Sequence, residues 1–163
     1  MRITLIVRGI CCLRSGVPGY TDNITVKSIV GRYLEHARVY VFGVGDRRAV
    51  YISSADFMTR NTERRVEVAA PIYDAQIQKR ILDILRLQDS DTVKARLQLP
   101  DGTYERPAPA PDAPRINSQD VQLESAYEQA QNPRYETGES CACEAAKRPF
   151  CEPIAFAVWK TGE

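Results

Sequence analysis

A proline-rich segment is the feature that most restricts how this chain can fold. Residues 106–114 read RPAPAPDAP, and proline has no backbone N–H to donate to a neighbouring strand, so a β-sheet cannot continue through them. Alternating proline and alanine are instead typical of a stiff linker. We therefore predict a folded domain over residues 1–106, followed by a Pro-rich linker and C-terminal tail over residues 107–163.

Short apolar runs separated by turn residues indicate that the first part of the chain is an α/β domain. Residues 3–9 (ITLIVRG) are rich in β-branched side chains and predict a buried strand. Residues 38–42 alternate as a strand does, residues 43–48 (GVGDRR) are typical of a turn, and residues 49–54 (AVYISS) return as a second strand. This order predicts a β-hairpin.

Two more segments are predicted to add strands. Residues 65–73 (RVEVAAPIY) indicate a strand that stops near Pro71. Residues 92–107 (TVKARLQLPDGTYERP) predict a second hairpin, which turns at Pro100, Asp101 and Gly102. The expected architecture is a mixed β-sheet flanked by helices.

Helical periodicity occurs in three places. From about Lys27 to Ala37 the apolar residues recur at helical spacing and predict a short amphipathic helix. Asp74 is a suitable N-cap for a second helix. The apolar face of that helix consists of Ile77, Ile81, Ile84 and Leu85. A modest third helix is predicted over residues 117–131, in a tail that we otherwise expect to be poorly ordered.

Charge and cysteine content limit the function classes. Residues 1–65 carry eleven Lys or Arg against five Asp or Glu, and 17 of the 22 basic residues in the chain are arginine. Because the arginine guanidinium matches phosphate oxygens, this basic half is suited to an anionic ligand, with a solvated basic surface as the alternative. The sequence contains no run of 18 apolar residues, so we do not expect a transmembrane helix. A strand pattern this close to the N-terminus suggests a piece of a longer protein.

The five cysteines are an odd number without the spacing of a disulfide framework, so we expect a reducing cytoplasm, with peripheral membrane association left open. Cys11 and Cys12 are expected to be small packing residues. Cys141, Cys143 and Cys151 could contribute three thiolates to zinc, but free thiols are the favoured interpretation because no fourth ligand is evident.

The chain has a single histidine, His36, at the boundary between a predicted helix and a predicted strand. Side chains two apart in a strand point to the same face, so a strand that begins at His36 places its imidazole beside the Arg38 guanidinium. Such an H-x-R pair can hold a phosphoryl group, because arginine neutralises the oxygens and histidine exchanges a proton near neutral pH. A hydrogen-bonded structural histidine is the alternative.

Residues 36–67 resemble the phospholipase D superfamily pattern, in which an H-x-K strand is followed by a G-S-x-N turn and then by a glutamate. The chain has Ser53, Ser54, Asp56, Arg60 and Glu67 at matching positions. It departs from the pattern at three positions. Arg38 replaces the lysine, Gly43 replaces a downstream aspartate, and Asp56 replaces the asparagine.

With these three residues, the sequence resembles the C-terminal domain of bacterial polyphosphate kinases, which is phospholipase D-like. Four consecutive segments carry the resemblance: LIVRGICCLRSGVPG, SIVGRYLEHARVYVFG, YISSADFMTRNTERRVEV and TVKARLQLPDGTY. They occur in the expected order over residues 2–106, with Ser15 where the family usually has proline. Residues 107–163 carry no such resemblance.

The resemblance implies transfer of the ATP γ-phosphate to polyphosphate through a phosphohistidine. Arg8 matches an arginine that binds nucleotide phosphates, with a structural ion pair as the alternative. His36 matches the second of two active-site histidines. The first, which becomes phosphorylated, belongs to a preceding domain. The isolated chain is therefore expected to be inactive.

Further roles follow from this resemblance. His36 is expected to act as an acid or base, or to hydrogen-bond a phosphoryl oxygen, while Arg8 and Arg38 stabilise the transferred charge. Glu67 is expected to hold the His36 ring in one tautomer, or alternatively to pair with Arg64 or Arg65. Asp56 is expected to cap its own turn.

The expected partners are ATP or ADP, inorganic polyphosphate and the preceding domains, in a homo-oligomeric full-length protein that does not bind nucleic acid. Mg²⁺ is expected to arrive with ATP rather than at a dedicated metal site. Two alternatives stay open. One is a phospholipase D-like phosphodiesterase or nuclease that dimerises to supply two copies of His36, and the other is a non-catalytic module that binds polyanions.

Overall fold

The computed structural model describes residues 1–8, 11–108 and 112–131. Within these residues the strands are β1 (Ile3–Ile6), β2 (Ile24–Ile29), β3 (Val39–Phe42), β4 (Ala49–Ser53), β5 (Ala69–Ile72), β6 (Ala95–Gln98) and β7 (Tyr104–Glu105). The α-helices of the same residues are α1 (Thr59–Arg64), α2 (Ala75–Asp89) and α3 (Ser118–Gln131). A 3₁₀ turn at Gly45–Arg47 connects β3 to β4.

The strands form two sheets. In the first, the order is β1-β2-β6-β7, with β1 and β2 parallel and the other neighbours antiparallel. In the second, β3, β4 and β5 form an antiparallel meander. The predicted α/β class, with mixed pairing and flanking helices, is confirmed, and its strands are divided between two sheets.

The meander packs against α2. Val41 and Val50 lie opposite each other on β3 and β4 and are 3% and 1% exposed. Three side chains of α2 cover this pair, namely Ile81, Leu82 and Leu85. Of the predicted apolar face, Ile77 and Ile84 are instead 50% and 38% exposed. The core therefore uses only one edge of the apolar stripe of α2.

The local signals for the start of α2 and for both hairpins are confirmed. Oδ1 of Asp74 accepts hydrogen bonds from the backbone N–H groups of Gln76 and Ile77, at 2.8 and 2.9 Å. These bonds satisfy two N–H groups that have no partner within the helix. Gly102 has a φ of +89°, which favours glycine at the turn between β6 and β7.

The helix predicted between Lys27 and Ala37 is wrong. Residues Ile24–Ile29 form β2, which lies between β1 and β6, and Val26 and Ile29 are 0% and 4% exposed. Pairing on both edges satisfies the backbone of this β-branched segment and outweighs a weak helical periodicity. Residues 30–38, which include His36, have no regular secondary structure.

The helix predicted in the C-terminal part is confirmed as α3. Its first residues, Ser118 and Gln119, are 0% and 5% exposed because they pack against the domain.

The boundary at residue 106 stays a prediction. The cysteines Cys141, Cys143 and Cys151 lie outside the described residues. Among the residues that the structure does describe, no helix is both long and apolar enough to cross a bilayer.

Candidate active site

His36 and Arg38 come together at the start of the meander. The backbone N–H of Ser53 donates to the Arg38 carbonyl at 2.8 Å, which extends the pairing of β3 and β4 by one residue. Nη2 of Arg38 lies 2.6 Å from Nε2 of His36. The strand begins at Val39 rather than at His36, yet the structure brings the two side chains together as their spacing predicts.

The contact favours one tautomer of the histidine. A guanidinium group carries only donors, so Nε2 of His36 accepts the hydrogen bond from Arg38. In the neutral ring the proton then lies on Nδ1. The His36 side chain is 59% exposed, so the ring is open to a ligand rather than enclosed in the core.

Asp56 joins this pair through a two-point ion pair with Arg38. Nε of Arg38 donates to Oδ1 of Asp56 at 2.7 Å, and Nη2 donates to Oδ2 at 3.0 Å. Oδ2 also lies 3.7 Å from Nε2 of His36. The hydrogen bond lowers the pKa of the Asp56 carboxyl and raises the pKa of the Arg38 guanidinium.

The expectation that Asp56 only caps its turn is therefore wrong. Its segment follows β4, and the pairing of Ser53 with Arg38 brings the turn to the guanidinium. A bidentate arrangement holds the planar guanidinium in one orientation. His36, Arg38 and Asp56 together form what we call the site cluster.

Glu67 lies in a neighbouring network. Its carboxylate accepts hydrogen bonds from the Ser54 hydroxyl and, at 2.7 Å, from Nδ2 of Asn61. These bonds lower the pKa of Glu67. Glu67 was expected to contact the His36 ring, but Ser54 and Asn61 hold its carboxylate near the start of β5. The carboxylate that lies near His36 is that of Asp56. Asn61 is 4% exposed and was not anticipated from the sequence.

Arg8 lines an open depression of about 410 Å³ on the surface. The other lining residues are Val30, Gly31, Arg32, Tyr33 and Leu34. The Arg32 guanidinium is 5.5 Å from the centroid of the Tyr33 ring. The depression therefore combines two cationic side chains with apolar ones, and its wall is the segment that leads to His36.

A dedicated metal centre has no support in the described part of the chain, where no three His, Cys, Asp or Glu side chains form a group that could hold an ion. Mg²⁺ as a companion of ATP stays a prediction.

Comparison with known proteins gives the family. Residues 1–119 match the family model described as polyphosphate kinase C-terminal domain 2. The chain belongs to the polyphosphate kinase family. The match continues past residue 106, where the resemblance of the sequence motifs was expected to end, and it includes the start of α3.

Relatives within this family are similar over most of the domain. The chain is 52% identical over 104 residues to a polyphosphate kinase from Bacillus anthracis, covering 64% of this chain and 15% of that protein. It is 47% identical over 120 residues to polyphosphate kinase 1 from Chlorobaculum tepidum, covering 74% of this chain and 17% of that protein. The chain thus spans about one sixth of the length of these curated relatives.

A solved structure supports the fold. The crystal structure of polyphosphate kinase from Porphyromonas gingivalis superposes with a TM-score of 0.73 at 35% sequence identity. The alignment covers 80% of this chain and 20% of that one.

Proposed function

We propose that this domain supplies His36 and Arg38 to the phosphoryl-transfer site of a polyphosphate kinase that uses ATP and inorganic polyphosphate in the cytoplasm. One observation carries the proposal: in a chain of this family, an exposed imidazole lies 2.6 Å from a guanidinium that a carboxylate holds in place. Such a cluster can form hydrogen bonds with the oxygens of a phosphoryl group.

The proposed reaction has two steps. A histidine of a preceding domain attacks the γ-phosphorus of ATP, so that an N–P bond forms, the bond to the bridging oxygen breaks, and ADP leaves. A terminal oxygen of polyphosphate then attacks the same phosphorus, and the N–P bond breaks. Both transition states spread negative charge over the equatorial oxygens of the phosphoryl group.

The site cluster suits this chemistry. In the Nδ1–H tautomer, His36 can donate a hydrogen bond to a phosphoryl oxygen, and Arg38 neutralises charge that develops beside it. Asp56 keeps the guanidinium in place, so its orientation need not change during transfer. Arg8 is proposed to bind the nucleotide phosphates from the neighbouring depression, and Glu67 to support the loop next to the site cluster.

The alternative functions receive less support. A phospholipase D-like hydrolase would use two copies of His36 across a dimer axis, and a polyanion-binding module would not need the imidazole. Membership of the polyphosphate kinase family favours group transfer over both. The isolated chain, which has one histidine, is proposed to lack ATP–polyphosphate transfer activity.

The test is His36→Ala in the full-length kinase that carries this domain. General acid–base assistance is worth about 10²–10⁴-fold, so we expect synthesis of polyphosphate from radiolabelled ATP to fall by at least about 10²-fold. Arg47→Ala is the control, because Arg47 is an exposed residue of the turn between β3 and β4. Near wild-type synthesis by the His36→Ala enzyme would contradict the proposal.

A further inference from the structure

The segment that carries His36 is held by side chains rather than by a sheet or helix. Residues 30–38 have no regular secondary structure, so their backbone groups need partners elsewhere. Some of these partners come from α3, which the proline-rich segment separates from the domain in sequence. The side chain that makes the connection is Gln119.

Gln119 binds both backbone groups of one residue. Its Oε1 accepts from the N–H of Tyr33 at 3.0 Å, and its Nε2 donates to the carbonyl of Tyr33 at 2.9 Å. The same Nε2 donates to Oε1 of Glu35 at 3.0 Å. Gln119 is 5% exposed, so these three bonds form where water cannot easily replace them.

The approach of this amide depends on a glycine. A Cβ atom added at Gly31 would lie 2.2 Å from Oε1 and 2.7 Å from Cδ of Gln119. Both distances are far below van der Waals contact, so the amide occupies the space that a side chain would need. The absence of a side chain at Gly31 thus allows the segment to lie in close contact with Gln119.

A second helix binds the same segment. Nε2 of Gln88, on α2, donates to the other carboxylate oxygen of Glu35, and Gln88 is 7% exposed. Glu35 is consequently held by glutamines from two helices, and the next residue in the chain is His36.

The start of α3 is itself anchored to the domain. Oδ2 of Asp91 accepts from the backbone N–H and the hydroxyl of Ser118, each at 2.8 Å. Asp91 and Ser118 are 2% and 0% exposed. Because Gln119 follows Ser118 directly, this anchor places the amide at the level of Tyr33. Asp91, Ser118 and Gln119 form what we call the docking cluster.

We propose that Gln119 is a positioning residue, which acts from α3 by holding Tyr33 and Glu35 so that His36 is presented to Arg38. Its effect on catalysis rests on the proposed function of His36. Its effect on the conformation of His36 does not, and the two effects are measured separately.

The conformational test uses the single histidine of the chain. With ¹⁵N-labelled histidine, the ring nitrogens of His36 report which one carries the proton and whether Nε2 accepts a hydrogen bond. Gln119→Leu removes the amide and keeps a similar volume. We expect it to shift His36 from the Nδ1–H form towards the Nε2–H form that predominates in free histidine.

The matched control is Gln129→Leu, because the Gln129 amide lies on the same helix and donates only to Ser125, at 3.3 Å, among the described residues. We expect this variant to give the wild-type spectrum. A Gln119→Leu spectrum identical to that of the wild type would overturn the proposal.

Gly31→Ala gives a second test that needs no loss of the amide. The new methyl group would lie 2.2 Å from Oε1 of Gln119 and displace the amide, so we expect the same change at His36 as in Gln119→Leu. In a Gln119→Ala background the space is open, and we expect Gly31→Ala to add little. Equal effects of Gly31→Ala in both backgrounds would contradict the proposal.

The catalytic test uses the full-length kinase. A small misplacement of a reacting group can cost up to about 10²-fold in rate, so Gln119→Leu should lower kcat by about 10- to 100-fold with little change in the KM for ATP. Unchanged kcat would overturn the positioning role. If His36→Ala leaves synthesis intact, the proposed function fails, whereas the His36 spectra still decide the conformational proposal.

Discussion

The site cluster and the docking cluster are built from similar polar groups in opposite environments. In the site cluster the side chains of His36, Arg38 and Asp56 are 59%, 20% and 30% exposed. In the docking cluster Asp91, Ser118 and Gln119 are 2%, 0% and 5% exposed. Water can replace a broken contact in the first cluster and cannot do so in the second.

Because of this difference in exposure, the two clusters should contribute unequally to the stability of the fold. A buried polar group that loses its partner stays without one, so the docking cluster should contribute strongly to the fold. An exposed ion pair contributes little to the fold, because solvent screens it. The site cluster is therefore open to a ligand, while the docking cluster holds α3 and, through Gln119, the segment before His36.

The largest effect on stability is expected for Asp91→Ala. Oδ1 of Asp91 also accepts from the N–H groups of Val93, Lys94 and Ala95, at 3.0, 2.6 and 2.9 Å. Removing the carboxylate leaves the donors of the buried residues Ala95 and Ser118 without partners, so the free energy of unfolding should fall by about 3 kcal/mol. Urea unfolding measures this change.

The control for Asp91→Ala is Asp46→Ala, because Asp46 is an exposed carboxylate of the turn between β3 and β4. It should change the free energy of unfolding by less than about 0.5 kcal/mol. Equal losses in the two variants would show that the docking cluster does not stabilise the fold.

Acid should weaken the docking cluster. Burial raises the pKa of Asp91, but hydrogen bonds from Ser118, Lys94 and Ala95 outweigh it, and the net pKa is lowered from the ordinary value of 3.8. The unfolded state then binds the proton more readily, so the stabilisation is complete above pH 3.8 and is lost as the pH falls through the folded pKa.

Asp91→Asn should therefore flatten the fall in unfolding free energy below about pH 4. Urea unfolding at a series of pH values measures the slope. A slope identical to that of the wild-type chain would assign the acid sensitivity to other carboxylates.

The smallest effect on stability is expected in the site cluster. Asp56→Ala removes an ion pair that is partly exposed, so the free energy of unfolding should change by no more than about 1 kcal/mol. Polyphosphate synthesis by the full-length kinase should nevertheless fall, because Arg38 loses the group that orients it. If Asp56→Ala lowered the stability as much as Asp91→Ala and left the activity unchanged, the site cluster would have a structural role rather than a functional one.

The two clusters also differ in how far the sequence predicts them. The contact between His36 and Arg38 was predicted from a strand that would begin at His36, whereas β3 begins at Val39. The cap at Asp74 and the turn at Gly102 depend on residues within three or four positions. Asp56 stands at a position of the superfamily pattern, which was the available signal for its role. Such short-range relations can be read from a linear pattern.

The docking cluster has no comparable signal. Asp91 and Ser118 are separated by the proline-rich segment, which indicates the end of a sheet but not that the chain returns to the domain. β2 was misassigned for a related reason, because its pairing with β1 and β6 depends on distant residues. At β2, long-range pairing outweighs local periodicity, and in the docking cluster, long-range hydrogen bonds attach a correctly predicted helix to the domain.

The most direct test of this account is the rate of phosphoenzyme formation in the full-length kinase with His36→Gln. Rapid quenching after mixing with radiolabelled ATP measures transfer of the γ-phosphate before polyphosphate is made. The account predicts a rate at least about 10²-fold below that of the wild type with unchanged ATP affinity. Formation of the phosphoenzyme at the wild-type rate would contradict a role for His36 in the transfer.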